Sequence, residues 1–92
     1  MRLDLFLKLT RVIKRRSMAK KYCDHNLVEV NNQSAKAARE IRVGDEIRLT
    51  FWNRIMAIRV LEIPYKGINT QEVSRFYTVI SDHRKASPDE IR

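Results

Sequence analysis

The chain has 92 residues, 43% of them hydrophobic, and nineteen Lys and Arg against eleven Asp and Glu give it a formal net charge of +8. A chain this short forms one domain burying about 60–65% of its unfolded surface, and its apolar content excludes a disordered polymer. No run of about twenty apolar residues offers a membrane helix, Lys8, Arg11 and Lys14 break up any signal-like stretch, and the lone Cys23 excludes an internal disulfide and fits a reducing cytoplasm.

Leu3, Phe6 and Leu7 fall at helical spacing, and Leu9 and Ile13 continue the set. They predict a first helix over about Leu3 to Leu9, with Asp4 placed where a carboxylate suits the helix dipole. Ser17 reads as the N-cap of a second helix. That helix should bury Ala19, Tyr22 and Cys23, show Lys20, Lys21 and Asp24 to solvent, and stop at Asn26, which tolerates the left-handed conformation. From Leu27 the period becomes two. Val28 and Val30 alternate with Glu29, and Asn31-Asn32 makes a turn. Gly44-Asp45 is a second turn, and Ile47, Leu49 and Phe51 then alternate with Glu46, Arg48 and Thr50 as a half-buried strand. Asn53-Arg54 is expected to close a hairpin onto Met56, Ile58 and Val60, which ends by Pro64. Tyr65 to Gln71 reads as a loop and Phe76 to Ile80 as a short further strand. From Ser81 the tail is polar and expected to be mobile, with a last turn at Ser87-Pro88-Asp89-Glu90. Two short N-terminal helices on a small, mostly antiparallel sheet make an α+β fold.

The charge is concentrated. Residues Met1 to Lys21 hold Arg2, Lys8, Arg11, Lys14, Arg15, Arg16, Lys20 and Lys21 against Asp4 alone, whereas the other seventy-one residues carry eleven bases and ten acids. A basic end on a near-neutral body points to a polyanion. Arg15 and Arg16 sit where the dipole of the second helix disfavours cations, a local conflict expected where an anion binds. With Lys14, Lys20 and Lys21 they form the candidate phosphate cradle, and Arg2 and Arg11 flank it. The plainer reading, a solvated basic face, loses to the concentration of the charge. Lys36, Arg39 and Arg42 form a weaker basic set.

Nothing in the chain suggests catalysis or a cofactor. His25 and His83 lie far apart with one cysteine, so no metal-ligand spacing occurs. Gly44 and Gly67 are the only glycines, so there is no Gly-rich phosphate loop. Cys23 reads as core. Trp52, Phe51, Tyr65, Phe76 and Tyr77 are aromatic enough to stack on bases, but strand aromatics are more often core.

Four fragments occur in a specific order: Arg2-Leu3-Asp4-Leu5-Phe6-Leu7, Lys14-Arg15-Arg16-Ser17 with Ala19, Val28-Glu29-Val30-Asn31, and Val43-Gly44-Asp45-Glu46-Ile47. Together, over about Met1 to Val60, they resemble the S4-type RNA-binding domain. The resemblance implies a helix pair leading into a small curved sheet, with Arg2 and Arg16 touching RNA. It implies a domain over residues 1–63, with 64–92 supplying a loop, a final strand and a polar tail. Asn26 and Asn32 stand where relatives usually carry Gly; Asn accepts positive φ best among the other residues. Among S4 proteins the chain is similar to the stand-alone members of ribosome-associated quality control, and next to their heat-shock relatives. That likeness implies large-subunit ribosomal RNA and peptidyl-tRNA as partners, an RqcH-like tailing factor beside them, and a monomer. The alternatives are a heat-shock-type recycling factor, a small DNA-binding regulator with a helix-turn-helix, a structural ribosomal protein, and an interaction protein using the sheet edge.

Overall fold

The structure, a computed structural model, describes residues 1–84. Helix α1 spans Leu3–Leu9 and helix α2 Arg16–Asp24. Five strands follow: β1 Val28–Val30, β2 Gln33–Ser34, β3 Glu46–Thr50, β4 Arg54–Val60 and β5 Tyr77–Arg84. A 3₁₀ turn at Thr70–Glu72 and a one-turn helix α3, Val73–Phe76, connect the last two strands. The strands form one antiparallel sheet in the order β2-β1-β3-β4-β5. This is the α+β arrangement expected from the sequence.

Side-chain period decides which face is buried. Leu3, Phe6 and Leu7 of α1 and Ala19 and Cys23 of α2 pack with Val28, Val30, Ile47, Leu49, Ile58 and Val60 in one core. Leu3, Phe6, Leu7 and the two β1 valines are wholly inaccessible. Burying an aliphatic or aromatic side chain contributes roughly 1.5–3 kcal/mol, so these few positions fix how the helix pair sits on the sheet.

The turns explain the two asparagines. His25 caps α2, Asn26 takes φ 58°, and Leu27 N–H donates to Tyr22 C=O at 2.9 Å while Asn26 N–H donates to Cys23 C=O at 3.1 Å. This is the paired bonding of a Schellman end. Asn31 and Asn32 both have positive φ, 52° and 70°, between paired Val30 and Gln33, which is the two-residue hairpin turn compatible with strand twist.

Four expectations need correction. The second helix begins at Arg16 with Arg15 at the cap position and no side-chain cap bond. Ser17 is therefore inside the first turn and is not the cap. The β3–β4 turn is centred on Trp52-Asn53, because Phe51 N–H donates to Arg54 C=O at 2.8 Å and Arg54 already belongs to β4. The loop after Pro64 ends in the 3₁₀ turn, which Asn69 caps by accepting from Gln71 and Glu72 N–H. Last, Ser81 to Arg84 is strand and no tail: β5 runs eight residues and pairs along all of β4, from Tyr77 opposite Val60 to Arg84 opposite Arg54. Its polar residues conceal a strand because they occupy an outer, solvated position; pairing is made by backbone. A register shift beside Ala57 and Ile58 leaves Ile80 without a counterpart and bends the sheet. The turn expected at Ser87-Pro88-Asp89-Glu90 lies outside the described residues.

Candidate nucleic-acid interface

The N-terminal segment is strapped down by long-range backbone bonds. Leu3 N–H donates to Arg39 C=O at 2.8 Å, Asp4 N–H to Ala37 C=O at 3.1 Å, and Ile41 N–H to Met1 C=O at 2.8 Å. The Met1 amine meets the Glu40 carboxylate at 2.7 Å, which holds that carboxyl below its usual range. This strap sets Arg2 at the mouth of α1 and turns Asp4 inward.

Asp4 is the organising group. Its side chain is only 3% exposed, yet it is ionised and fully partnered. Arg16 Nε donates to Oδ2 at 3.1 Å, Arg2 Nε donates to Oδ1 at 3.2 Å, and Leu5 N–H donates to Oδ1 at 2.9 Å. Burial pushes the Asp4 pKa upward; the hydrogen bonds from Arg16 and Arg2, the Arg16 charge and the Leu5 N–H outweigh it and hold the carboxyl below its ordinary value. Both arginines use Nε for Asp4, and Arg2 adds a longer bond from Nη2 to Oδ2 at 3.5 Å, while their side chains remain 47% and 45% exposed. Both terminal nitrogens of Arg16 and Nη1 of Arg2 are therefore held in place beside solvent, the geometry in which a guanidinium can take a phosphate. The conflict at the start of α2 is resolved by this carboxylate: Arg16, the first helical residue, is neutralised from below.

Arg2, Arg16, Ser17 and Lys20 line an open cleft of about 310 Å³ around Asp4. Lys20 joins because it lies four residues after Arg16, on the same helix face. A second cleft, of about 400 Å³, lies at the other end of α1 between Lys8, Arg11 and Lys14 and the Gly67–Thr70 loop. Arg11 holds the left-handed φ of 65° at the end of α1, and its Nη1 donates to Ile68 C=O at 3.1 Å. The two clefts thus separate the sequence-predicted cations into Arg2, Arg16 and Lys20 in one group and Arg11 and Lys14 in another. Arg15, Lys21 and Lys36 are exposed but line neither cleft. Lys36 lies in the loop whose Ala37 and Arg39 carbonyls receive the N-terminal strap.

The sequence pattern presents Asp4 only as a dipole partner of the first helix, and it does not place Lys8 in a cleft. The available signal was that Asp4 is the sole acid among eight bases in the first twenty-one residues. Among the described residues no group of His, Cys, Asp and Glu could hold a metal, and no helix is long and apolar enough to cross a membrane.

A cationic helix pair whose arginines are fixed by a buried carboxylate, carried on a curved antiparallel sheet, defines a small RNA-binding domain of the S4 type, and the S4 domain family model matches residues 1–47. The chain belongs to this family and, within it, to that of the RQC P-site tRNA stabilizing factors. It is 34% identical over 84 residues to the RQC P-site tRNA stabilizing factor of Streptococcus pneumoniae, covering 91% of this chain and 94% of that protein. It is 33% identical to the protein so named in Bacillus subtilis, covering 91% and 96%, and 38% identical over 64 residues to that of Helicobacter pylori, covering 70% and 76%. Among solved structures, trimeric Heat Shock Protein 15 of Vibrio cholerae matches with a TM-score of 0.80 at 24% identity, over 99% of this chain and 85% of that one. The solution structure of the hypothetical protein HP1423 matches with a TM-score of 0.76 at 30% identity, over 88% and 98%.

Proposed function

We propose that this chain is a non-enzymatic, cytoplasmic factor of ribosome-associated quality control that binds the stalled large ribosomal subunit and stabilises its P-site tRNA. The observation that carries the reading is the anchoring of Arg2 and Arg16 on buried Asp4, which presents two guanidinium groups to solvent in a fixed relation. RNA helices are gripped through backbone and shape, and prepositioned arginines lose little freedom on meeting phosphates. Family membership supplies the target: the relatives bear P-site tRNA in their name.

In this reading Arg2, Arg16 and Lys20 hold ribosomal RNA phosphates, Arg15 and Lys14 extend the contact across the interhelix loop, and Arg11, Lys21 and Lys36 widen it. The sheet supports the helices. An RqcH-like tailing factor works beside the complex, and the chain acts as a monomer.

The test is co-sedimentation with purified large subunits, with and without a bound peptidyl-tRNA, followed by sequencing of crosslinked RNA. Crosslinks to large-subunit RNA and tRNA, enriched on the tRNA-bound particle, are expected. Binding to the small subunit, or equal occupancy of every large subunit, would overturn the proposal. Neutralising about five phosphates also requires binding to weaken roughly a hundredfold or more between about 50 and 200 mM salt.

A further inference from the structure

The chain has one tryptophan, and it is not in the core. Trp52 is 87% exposed at the tip of the β3–β4 hairpin. Of the other candidate stacking aromatics, Phe76 is buried and Phe51 and Tyr77 are half-buried against the core. Tyr65 is as exposed as Trp52, but Lys66 Nζ lies 5.7 Å from its ring centroid. Among the described residues Trp52 makes neither an aromatic nor a cation–π contact. The turn does not ask for it: such positions favour Gly, Pro, Asn, Asp and Ser, and neither Trp52 nor Asn53 has a positive φ.

The hairpin tip is nevertheless firmly held. Adjacent Phe51 packs on Tyr22 of α2 with ring centroids 5.6 Å apart, and the Arg54 guanidinium lies 5.3 Å from the Phe51 ring centroid. Thr50 N–H donates to Leu27 C=O at 2.9 Å, tying this end of the sheet to the segment that leaves α2. The tip is therefore contiguous with the helix that carries Arg16 and Lys20. Its local charge is positive: Arg54 stands directly opposite Arg84 across β4 and β5, with Asp82 3.6 Å from Arg54. Like charges facing each other across strands are unfavourable in isolation and suit a surface that meets an anion.

We infer that Trp52 is a stacking platform for an unpaired base of the bound RNA, with Arg54 and Arg84 receiving the adjoining phosphates. An aromatic face beside cations is the combination that holds single-stranded nucleotides, whereas phosphate contacts at Arg2 and Arg16 suit a helical segment. The inference rests on the RNA-binding reading above and adds to it a preference for a looped-out base next to a helix.

The tryptophan reports on itself. The full chain is titrated, at equal salt, with a short RNA hairpin bearing a single-stranded loop and with the same stem as a blunt duplex. The hairpin is expected to quench Trp52 emission, and the duplex to bind with little quenching. Trp52→Ala should weaken hairpin binding about 5- to 150-fold, the range for losing one stacked base, and leave duplex binding unchanged; Trp52→Phe should retain most of the affinity. Hairpin binding with unchanged emission and no effect of Trp52→Ala would overturn the platform while leaving the RNA reading intact. Failure of the wild-type chain to bind either RNA would overturn both.

Discussion

Arg16 Nε lies 3.1 Å from Asp4 Oδ2, across twelve residues of sequence, and this contact joins the start of α2 to the start of α1. The carboxylate is buried while the guanidinium is half-exposed. One end of the pair fixes position and the other faces the medium in which RNA arrives. Arg2, bonded to both oxygens of the same carboxylate, is placed relative to Arg16 through it.

If Asp4 acts by positioning, removing its negative charge should harm binding. Asp4→Asn makes the chain more basic by one unit, and simple charge attraction would tighten RNA binding. The expected outcome is the reverse, a loss of roughly 3- to 10-fold. The lost charge-assisted bonds are discounted because both arginines are partly screened by solvent, leaving about 1 kcal/mol of stability at stake. Binding isotherms and thermal melts of the same variant measure the two effects separately.

Arg16→Ala should weaken binding to the large subunit more than Arg48→Ala. Arg48 is an exposed residue of β3, opposite Glu29 on one side and Ala57 on the other. Loss of one phosphate contact should also lower the slope of log affinity against log salt by about 1. Equal losses for the two variants would place the interface elsewhere.

The Asp4 site predicts an acid limb in the stability curve. Its folded pKa is lowered below the ordinary value of 3.8. Its contribution is therefore complete above pH 3.8 and is lost as pH falls through the lower folded value. Urea denaturation between about pH 5 and pH 2 should show a steeper decline for the wild type than for Asp4→Asn.

Cys23 should be inert at neutral pH. Burial, and then the nearby Asp4 and Asp24 charges, raise its thiol from 9.0 to about 11, and only 1% of the residue is accessible. Iodoacetamide should label it only as fast as the domain opens, and full labelling should need denaturant. The sign on the alkaline side is the opposite of that for Asp4. The raised pKa supports the fold below pH 9.0 and that support fades as pH rises toward 11, so Cys23→Ala should flatten the alkaline loss of stability.

Truncation tests the outer half of β5. Deleting 81–92 removes the β5 partners of Arg54 to Ala57 and should cost about 1–2 kcal/mol, a drop of roughly 4–15 °C for a domain of this size. RNA binding measured well below the lowered melting temperature should persist through Arg2 and Arg16, weakened by the loss of the Arg84 phosphate contact.

The helices and inner strands were legible in the sequence because their side chains obey one period and one burial preference. Leu3, Phe6 and Leu7 could face only one way, as could Val28 and Val30 or Ile47 and Leu49. Asn26, Asn31 and Asn32 announced left-handed turns for the same local reason. The outer half of β5 was not legible: Ser81, Asp82, His83 and Arg84 have no buried face to impose alternation, and their strand conformation comes from pairing with β4. The cations were countable, but their grouping was not. Whether Arg16 faces Asp4, or Arg11 reaches Ile68, depends on contacts across 12 and 57 residues that no local pattern encodes. Trp52 was visible as an aromatic in a strand region; its exposure follows from the turn falling one residue earlier than expected.

The strap between the N-terminal segment and residues 37–41 also orders events in time. The eight cations of the first twenty-one residues are synthesised before residues 37–41, but the surface they form is not. Leu3 and Asp4 wait for the carbonyls of Arg39 and Ala37, and helices of seven and nine residues do not persist alone in water. A nascent chain bearing only the helix pair is a flexible polycation without a defined grip. The gripping surface matures only once residues 37–41 have also been made and have closed over α1, so the hold on RNA is acquired after the cations that exert it.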